Sequence, residues 1–449
     1  HHLNFPVLYA VGREGKAWAE YPTDPSAPGD LTPLFDAIIE YVPAPTVKSD
    51  GPFQLLVTTL DWDSFKGKYA IGRIRRGQPR PGLAVSILKH DGTVITSRIE
   101  KLYVNQGLKR IEVAEANPGD IVAITGLGKV SIGDTVADSI APEALPTIAV
   151  EDPTLTMAIG ANTSPFAGRE GQFVTSRQIL ERIERELETN VSMKMSIAPN
   201  GEFLLSGRGE LHLSVFIESL RREGFELQVS KPHVITKLVD GVLMEPLEEL
   251  TVDVAADYAN PVTAEVIRRR GNLHGQHPQS DGSVRLTFHL TTRGLLGLRN
   301  QLLTISRGTA VLNSLFLRFE PLGTEIPQLR NGVMMASEAG NAVAYGLNIA
   351  QGRGATFIPA QTPVYEGMII GLNSREGDLE INVTKEKKQT NIRSAGNDDA
   401  IVLTPFTDLS LEQCLDFLED DELLEVTPKT LHLRKKILKA TDRSKASRR

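Results

Sequence analysis

The chain has 449 residues, 41% of them apolar and 23% charged, with a formal net charge of -7 and a single cysteine. This length exceeds one ordinary hydrophobic core and predicts about three or four domains of a globular protein, while the lone Cys414 excludes internal disulfides and cysteine zinc sites. No apolar run is long enough to cross a bilayer and the first residues lack the order of a signal peptide, so we expect a cytoplasmic protein without membrane contact.

The N-terminal segment, residues 1–47, predicts one buried strand at residues 5–9 and one helix. Thr32 supplies an N-cap and Pro33 the first helical position, and apolar residues follow at helical spacing until Pro43. A strand and a helix make half of a βαβ unit. We therefore interpret this segment as the C-terminal remnant of a larger domain.

Residues 48–145 contain short β-rich runs separated by turn signals such as Asp91-Gly92 and Pro118-Gly119. Regular short strands without a helical interruption indicate a small closed barrel. Residues 146–234 and 235–322 then alternate strands with helices. Thr175 and Gln178 fit a capping box at the start of the first helix, and later helices are predicted at residues 261–269 and 295–306. The pattern indicates two consecutive α+β sandwiches of similar order.

Residues 323–449 predict a further domain. It has more short strands, a Gly-rich turn at residues 351–354, a polar loop at 384–399, and a capped helix beginning at Ser410. An acidic cluster at 419–422 precedes a tail rich in Lys and Arg. This segregation of charge is more informative about binding partners than the net charge of the chain.

No catalytic constellation is present in the sequence. It lacks the G-x-x-x-x-G-K-[ST] phosphate loop, the N-K-x-D guanine motif, H-E-x-x-H and G-x-S-x-G. His274 and His277 share a polar segment without a third ligand within sequence reach, which favours solvated loop histidines over metal ligands. The chain is predicted not to be an enzyme and to hold no metal or cofactor.

Basic residues interleaved with glycine recur along the chain. Each cluster alone is read more simply as surface charge or a cation at a helix C-terminus, but several clusters in a net acidic protein favour a large RNA partner contacted through phosphates. The absence of aromatic residues among them argues against reading single-stranded bases. The predicted RNA contacts are Arg73, Arg75, Arg76, Arg268, Arg269, Arg270, Arg293, Arg299, Arg353, Lys385, Lys387, Lys388, Arg393, Arg434, Lys435 and Lys436.

Several segments resemble one family of translation factors. Ser206-Gly-Arg-Gly-Glu-Leu-His-Leu213 is similar to the domain III signature of ribosome-dependent GTPases, the class of elongation factor G. The segments Asn331-Gly-Val333, Val364-Tyr-Glu-Gly367, Asn391-Ile-Arg393 and Glu425-Val-Thr-Pro428 resemble the C-terminal domain peculiar to the TypA/BipA family. The resemblance covers nearly the whole chain.

The resemblance implies a multidomain α+β fold: an EF-Tu-like domain II β-barrel, two ferredoxin-like α+β sandwiches and a TypA/BipA-specific C-terminal domain. Ala10, Val11 and Gly12 look like the last guanine-contacting segment, although the family usually has Ser-Ala or Ser-Gly where this chain has Val11-Gly12. GTP and Mg²⁺ would belong to a full-length parent that hydrolyses GTP, because the other nucleotide motifs are missing from this sequence.

The family also implies a function at the ribosome. This chain is expected to be the ribosome-binding part of such a factor, a monomer that docks at the A site. Its expected partners there are 16S and 23S rRNA, ribosomal proteins near the stalk base and an A-site tRNA. Roles in ribosome assembly and in cold or stress adaptation follow, in bacterial cytosol or plastid stroma. Three alternatives stay open. They are a fragment of another factor of the elongation factor G/LepA class, a non-ribosomal interaction protein, and an enzyme with a site around Glu265, His274 and His277.

Overall fold

The computed structural model describes residues 5–24, 26–44, 46–47, 50–63, 67–146, 153–280, 282–327, 330–386 and 401–446. The chain forms two compact units, residues 1–148 and 149–449. The first begins with strand β1 (Tyr9–Val11), which pairs antiparallel with β2 (Lys16–Trp18), and continues with helix α1 (Thr32–Tyr41). No residue of α1 is buried, so this part of the chain has hardly any core of its own.

One antiparallel sheet of eight strands makes up the rest of the first unit. Its strands are β3 (Gln54–Asp63), β4 (Gly67–Arg76), β5 (Ala84–Leu88), β6 (Val94–Arg98), β7 (Leu102–Gln106), β8 (Lys109–Val113), β9 (Ile121–Ile124) and β10 (Thr135–Asp138). They lie in the order β6-β5-β10-β3-β4-β9-β7-β8. Alternate side chains, among them Leu55, Val57, Ile74 and Ile87, pack into one buried apolar cluster.

The second unit starts with a ferredoxin-like α+β fold, here called the first sandwich. Its elements are β11 (Leu155–Gly160), α2 (Ser176–Thr189), β12 (Lys194–Ile197), β13 (Phe203–Gly207), α3 (Glu210–Arg222), β14 (Leu227–Ser230) and β15 (His233–Val234). The strand order β12-β13-β11-β14 is that of a βαββαβ unit. Ile179 and Ile183 of α2 and Leu213, Phe216 and Ile217 of α3 cover the sheet.

A second sandwich repeats this topology. It contains β16 (Lys237–Val239), β17 (Val242–Ala255), α4 (Ala256–Arg268), β18 (Asn272–Pro278), β19 (Ser283–Thr291), α5 (Thr292–Leu295), α6 (Leu298–Ile305) and β20 (Val311–Pro321). The order β18-β19-β17-β20 is again ferredoxin-like, with β16 paired to the start of β17. Both predicted α+β sandwiches are therefore confirmed.

The C-terminal region contributes a sheet of its own and completes another. Its elements are β21 (Val333–Ala336), β22 (Gly340–Asn341), α7 (Ala344–Gln351), β23 (Gly354–Thr356), β24 (Pro363–Val364), β25 (Ile369–Asn373), β26 (Leu379–Ile381), α8 (Leu411–Phe417), β27 (Glu422–Val426), β28 (Leu431–Lys435) and α9 (Ala440–Ala446). Four strands lie in the order β23-β25-β21-β26, whereas β27 pairs antiparallel with β14 and so extends the first sandwich. None of the described helices is long and apolar enough to cross a membrane.

Local signals placed several elements correctly. The capping boxes at Thr175 and at Ser410 are both formed. Other predictions were wrong. Residues 5–8 are not a strand, because pairing starts only at Tyr9. The helix predicted from residue 261 begins at Ala256 and contains Pro261 as its sixth residue, where proline has no N–H to donate to the preceding turn. The helix predicted over 295–306 is two helices separated by Gly297, which adopts a φ of 66°.

Candidate nucleic-acid interface

The three barrel arginines differ in how they are held. All lie on β4, where alternating side chains point to opposite faces. Arg73 is partly buried and donates to the Thr46 carbonyl at 3.2 Å. Arg76 forms an ion pair with Glu143 at 2.5 Å. Arg75 is exposed and makes no side-chain hydrogen bond or ion pair with any described residue, so it is the barrel cation best placed to meet a phosphate.

The three consecutive arginines at the end of α4, residues 268–270, also differ in their intramolecular partners. Glu265 accepts two hydrogen bonds at 2.8 Å from Arg268 and one at 2.8 Å from Arg269. Burial raises the pKa of Glu265, but the two arginines outweigh it and keep the pKa below its usual range. Arg270 is exposed, pairs with no described side chain, and has a φ of 69°, a conformation that normally favours glycine.

Arg269 is not a surface cation. Its side chain is buried and donates to the carbonyls of Gly294 at 3.2 Å and Leu296 at 2.6 Å. It thus satisfies the C-terminal backbone of α5 from inside the second sandwich. The prediction that it contacts RNA is corrected.

Arg293 lies in α5, and Arg299 lies in the first turn of α6. Arg293 donates two hydrogen bonds of 2.6 Å to Glu245, which is fully buried, and a longer one to the Gly323 carbonyl. This fork-to-fork pair is mainly structural. Arg299 is exposed and lines two cavities of about 290 and 300 Å³.

The C-terminal region offers fewer free cations than the sequence suggested. Arg353 and Lys385 are exposed and make no side-chain hydrogen bond or ion pair with described residues. Lys436 is exposed and donates from its ammonium to the Asp420 carbonyl at 2.5 Å. Lys387, Lys388 and Arg393 lie outside the described residues.

Two tail residues are internal, because the predicted basic tail begins with a strand. Arg434 and Lys435 are on β28 and are only 2% and 3% exposed. Arg434 bonds to Gln228 at 2.6 Å and lies 3.4 Å from buried Glu425. Lys435 bonds to Asp378, Asp421 and Glu422 at 2.6 to 3.0 Å. The bond to Gln228 ties the hairpin to β14 of the first sandwich, and the other contacts lie within the C-terminal region. Both cations are therefore committed to internal partners, and the prediction of Arg434 and Lys435 as RNA contacts is corrected.

The histidines do not assemble a reactive centre. His274 and His277 belong to β18 and not to a loop, and His274 stacks on His289 with 3.6 Å between ring centroids. Glu265, the acid proposed to act with them, is held by its two arginines. No group of three or more metal-ligating side chains occurs in the described part of the chain.

The predicted nucleotide remnant is a strand end. Ala10 and Val11 pair with Ala17 and Lys16, and Gly12 begins a single 3₁₀ turn. This segment offers a guanine only backbone groups, and the sequence supplies no phosphate loop.

The sequence analysis did not predict the acidic residues that form ion pairs with several of these arginines and make them unavailable to a partner. The spacing of Glu265 to Arg268 and Arg269, three and four residues, was a usable signal for side chains on one helix face. Glu245 with Arg293 and Glu425 with Arg434 join separate elements, and no local pattern announces such pairs.

Comparisons with known proteins agree with this architecture. The model of the TypA/BipA C-terminal domain matches residues 331–440, that of the elongation factor G C-terminus matches 242–330, and that of elongation factor Tu domain 2 matches 67–137. The protein named large ribosomal subunit assembly factor BipA from Haemophilus influenzae is 45% identical over 99% of this chain and 72% of its own length. Its namesakes from Escherichia coli K12 and Bacillus subtilis are 44% and 41% identical, over 99% and 100% of this chain and 73% of their own lengths.

Proposed function

Because this chain belongs to the TypA/BipA family, we propose that it is the ribosome-binding body of a translational GTPase. Its relatives are named as assembly factors of the large ribosomal subunit, and we extend that role to this protein. Binding of GTP and Mg²⁺, and hydrolysis of GTP, are proposed for the full-length parent and not for the residues of this chain.

The observation that carries the proposal is a set of exposed cations with no hydrogen-bond or ion-pair partner in the part of the chain that the structure describes. Arg75, Arg270, Arg353 and Lys385 make no side-chain hydrogen bond or ion pair with described residues, although acidic residues outnumber basic ones in the chain. Cations left free in an acidic protein suit contacts to phosphates, which fix position without reading sequence.

In this proposal the body docks at the ribosomal A site. The barrel faces 16S rRNA, the second sandwich faces 23S rRNA and proteins near the stalk base, and residues 384–399 approach the acceptor arm of an A-site tRNA. The protein acts as a monomer in the cytoplasm, in ribosome assembly and in growth under cold or stress. The domains implied are 1–47, 48–145, 146–234, 235–322 and 323–449.

Co-sedimentation with 70S ribosomes across a salt series tests the proposal. Binding should fall steeply with salt, and changing Lys385, Lys387 and Lys388 together to Ala should flatten the log–log slope by about 2 to 3, because each lost phosphate contact removes about 0.7 to 0.9.

The matched control changes the same three lysines to Arg. This variant keeps the charge and should retain the wild-type slope. A loss of slope in both variants, or in neither, would contradict phosphate contacts by this loop. Absence of salt-dependent binding by the wild-type chain would favour the non-ribosomal interaction protein.

A further inference from the structure

Two carboxyl groups from distant parts of the second unit meet over one glycine. Glu210 is the first residue of α3 in the first sandwich, and its Oε2 accepts from the backbone N–H of Gly297 at 3.2 Å. Asp416 belongs to α8 of the C-terminal region, and its Cβ and Cγ lie 3.3 and 3.4 Å from the position that a Cβ on Gly297 would occupy. Gly297 separates α5 from α6 in the second sandwich. Three segments of different origin therefore converge here, and we name Glu210, Gly297 and Asp416 the joint.

The surroundings of the joint hold few groups to neutralise two negative charges. Asp416 accepts from the Asn300 side chain at 2.5 Å, which is a neutral donor. The charged groups near the pair are Arg269 from the end of α4, Arg299 from α6 and Glu412 from α8. Arg269 is committed to Glu265 and to two carbonyls, Arg299 is exposed, and Glu412 adds a further negative charge. Two ionised carboxylates would repel each other with little compensation.

The joint lies where α8 packs against α3, so a change in its charge acts on the attachment of the C-terminal region to the first sandwich. Leu411, Cys414 and Leu415 on the other side of α8 belong to the same apolar cluster as Leu213 and Ile217 of α3. The two cavities of about 290 and 300 Å³ are both lined by Glu210 and Arg299, and Asp416 lines the second. The carboxyl groups are thus half-buried and still within reach of solvent protons.

We propose that the joint is a proton-dependent fastening. With one proton on the Glu210–Asp416 pair, α8 is held against α3 and α6, and with both carboxyls ionised this attachment weakens. The device uses none of the four cations on which the proposed function is based, and it does not depend on that function. It would make the seating of the C-terminal region on the two sandwiches sensitive to pH near neutrality.

The acid–base properties of the two groups support this reading. Burial, and then the charge of Asp416, raise the pKa of Glu210 to about 7, against the hydrogen bond from Gly297 and the two arginines. Burial raises the pKa of Asp416 to about 6, against the hydrogen bond from Asn300. Since both pKa values lie above those of the unfolded chain, the folded state binds more protons between about pH 4 and pH 7. Its stability therefore falls as the pH rises through that window.

Thermal unfolding of the full chain with Asp416→Asn and with Glu210→Gln tests the fastening. Either amide can still accept the existing N–H donor through its oxygen, but neither can ionise. The melting temperatures of wild type and variant should be similar near pH 4, at the lower end of that window, and the wild type should fall below the variant near pH 8. Glu184→Gln, at an exposed position of α2, is the control and should follow the wild type. A difference between wild type and Asp416→Asn that is the same at both pH values would overturn the proposal.

Hydrogen exchange on the unmodified chain gives a second reading that needs no variant. After correction for intrinsic rates, protection of the α8 amides relative to those of α2 should drop about tenfold between pH 5.5 and pH 8, the change that one pKa unit carries. A ratio that stays constant would contradict the proposal even if neither substituted protein folds.

Discussion

Glu226 shows how one carboxylate organises a loop of the first sandwich. It is buried and accepts hydrogen bonds from the Asn162 side chain at 2.9 Å and from the backbone N–H groups of Gly168 at 2.8 Å and Gly171 at 3.0 Å. Burial raises the pKa of Glu226, but these donors outweigh it and hold the pKa below its usual range. The stabilisation is therefore complete above the unfolded-state pKa, near 4.3, and is lost as the pH falls through the folded-state pKa.

We expect Glu226→Gln to lower the free energy of unfolding by about 1 to 3 kcal/mol at neutral pH, because the amide turns an N–H group toward backbone N–H donors. Urea unfolding near pH 7 and near pH 3 measures this, and the difference from wild type should shrink at the lower pH. Glu184→Gln, at an exposed site, should stay within about 0.5 kcal/mol of wild type at both pH values. A penalty that did not depend on pH would assign the effect to shape and not to the charge of Glu226.

Among elements, the β27–β28 hairpin marks the limit of what the sequence predicts. Capping boxes at Thr175 and Ser410 were found because their partners are three residues apart. The alternation of strands and helices also predicted both sandwiches. The pairing of Leu227 with Val426 could not be found, because nothing in either segment encodes a partner so distant along the chain. For the same reason the sequence could not separate exposed Arg270 from buried Arg434, since burial is decided by that non-local pairing.

The burial of Arg434 has a measurable consequence. We expect Arg434→Ala to destabilise the chain by about 3 to 5 kcal/mol, because it leaves Glu425 and Gln228 without their cationic donor inside the sheet. At a temperature where the variant remains folded, the salt slope of its ribosome binding should match that of wild type. Denaturant unfolding together with co-sedimentation checks both halves. If the folded variant instead showed a flatter salt slope of ribosome binding than the wild type, Arg434 would again count as an RNA contact.

On the scale of the whole molecule, each compact unit carries at least one arginine well suited to test phosphate contact. Arg75 lies on β4 in residues 1–148 and Arg270 follows α4 in residues 149–449. Both are exposed and unpaired among the described residues. The two units have separate apolar cores, so changes at these positions should act independently on stability. Any coupling seen in binding would then come from the partner.

The substitutions Arg75→Ala and Arg270→Gly should each reduce the salt slope of ribosome binding by about 0.7 to 0.9, and the double variant by the sum. Arg270→Gly is the sharper test. Its φ of 69° places the backbone where glycine is unstrained, so the variant should keep or gain stability, by up to about 1 kcal/mol, while losing affinity. If Arg270 served only to end α4, glycine would do so at least as well and the slope would not change. Opposite signs for folding and binding at one position would show that the Arg270 side chain contributes to the contact with the partner and not to the stability of the fold.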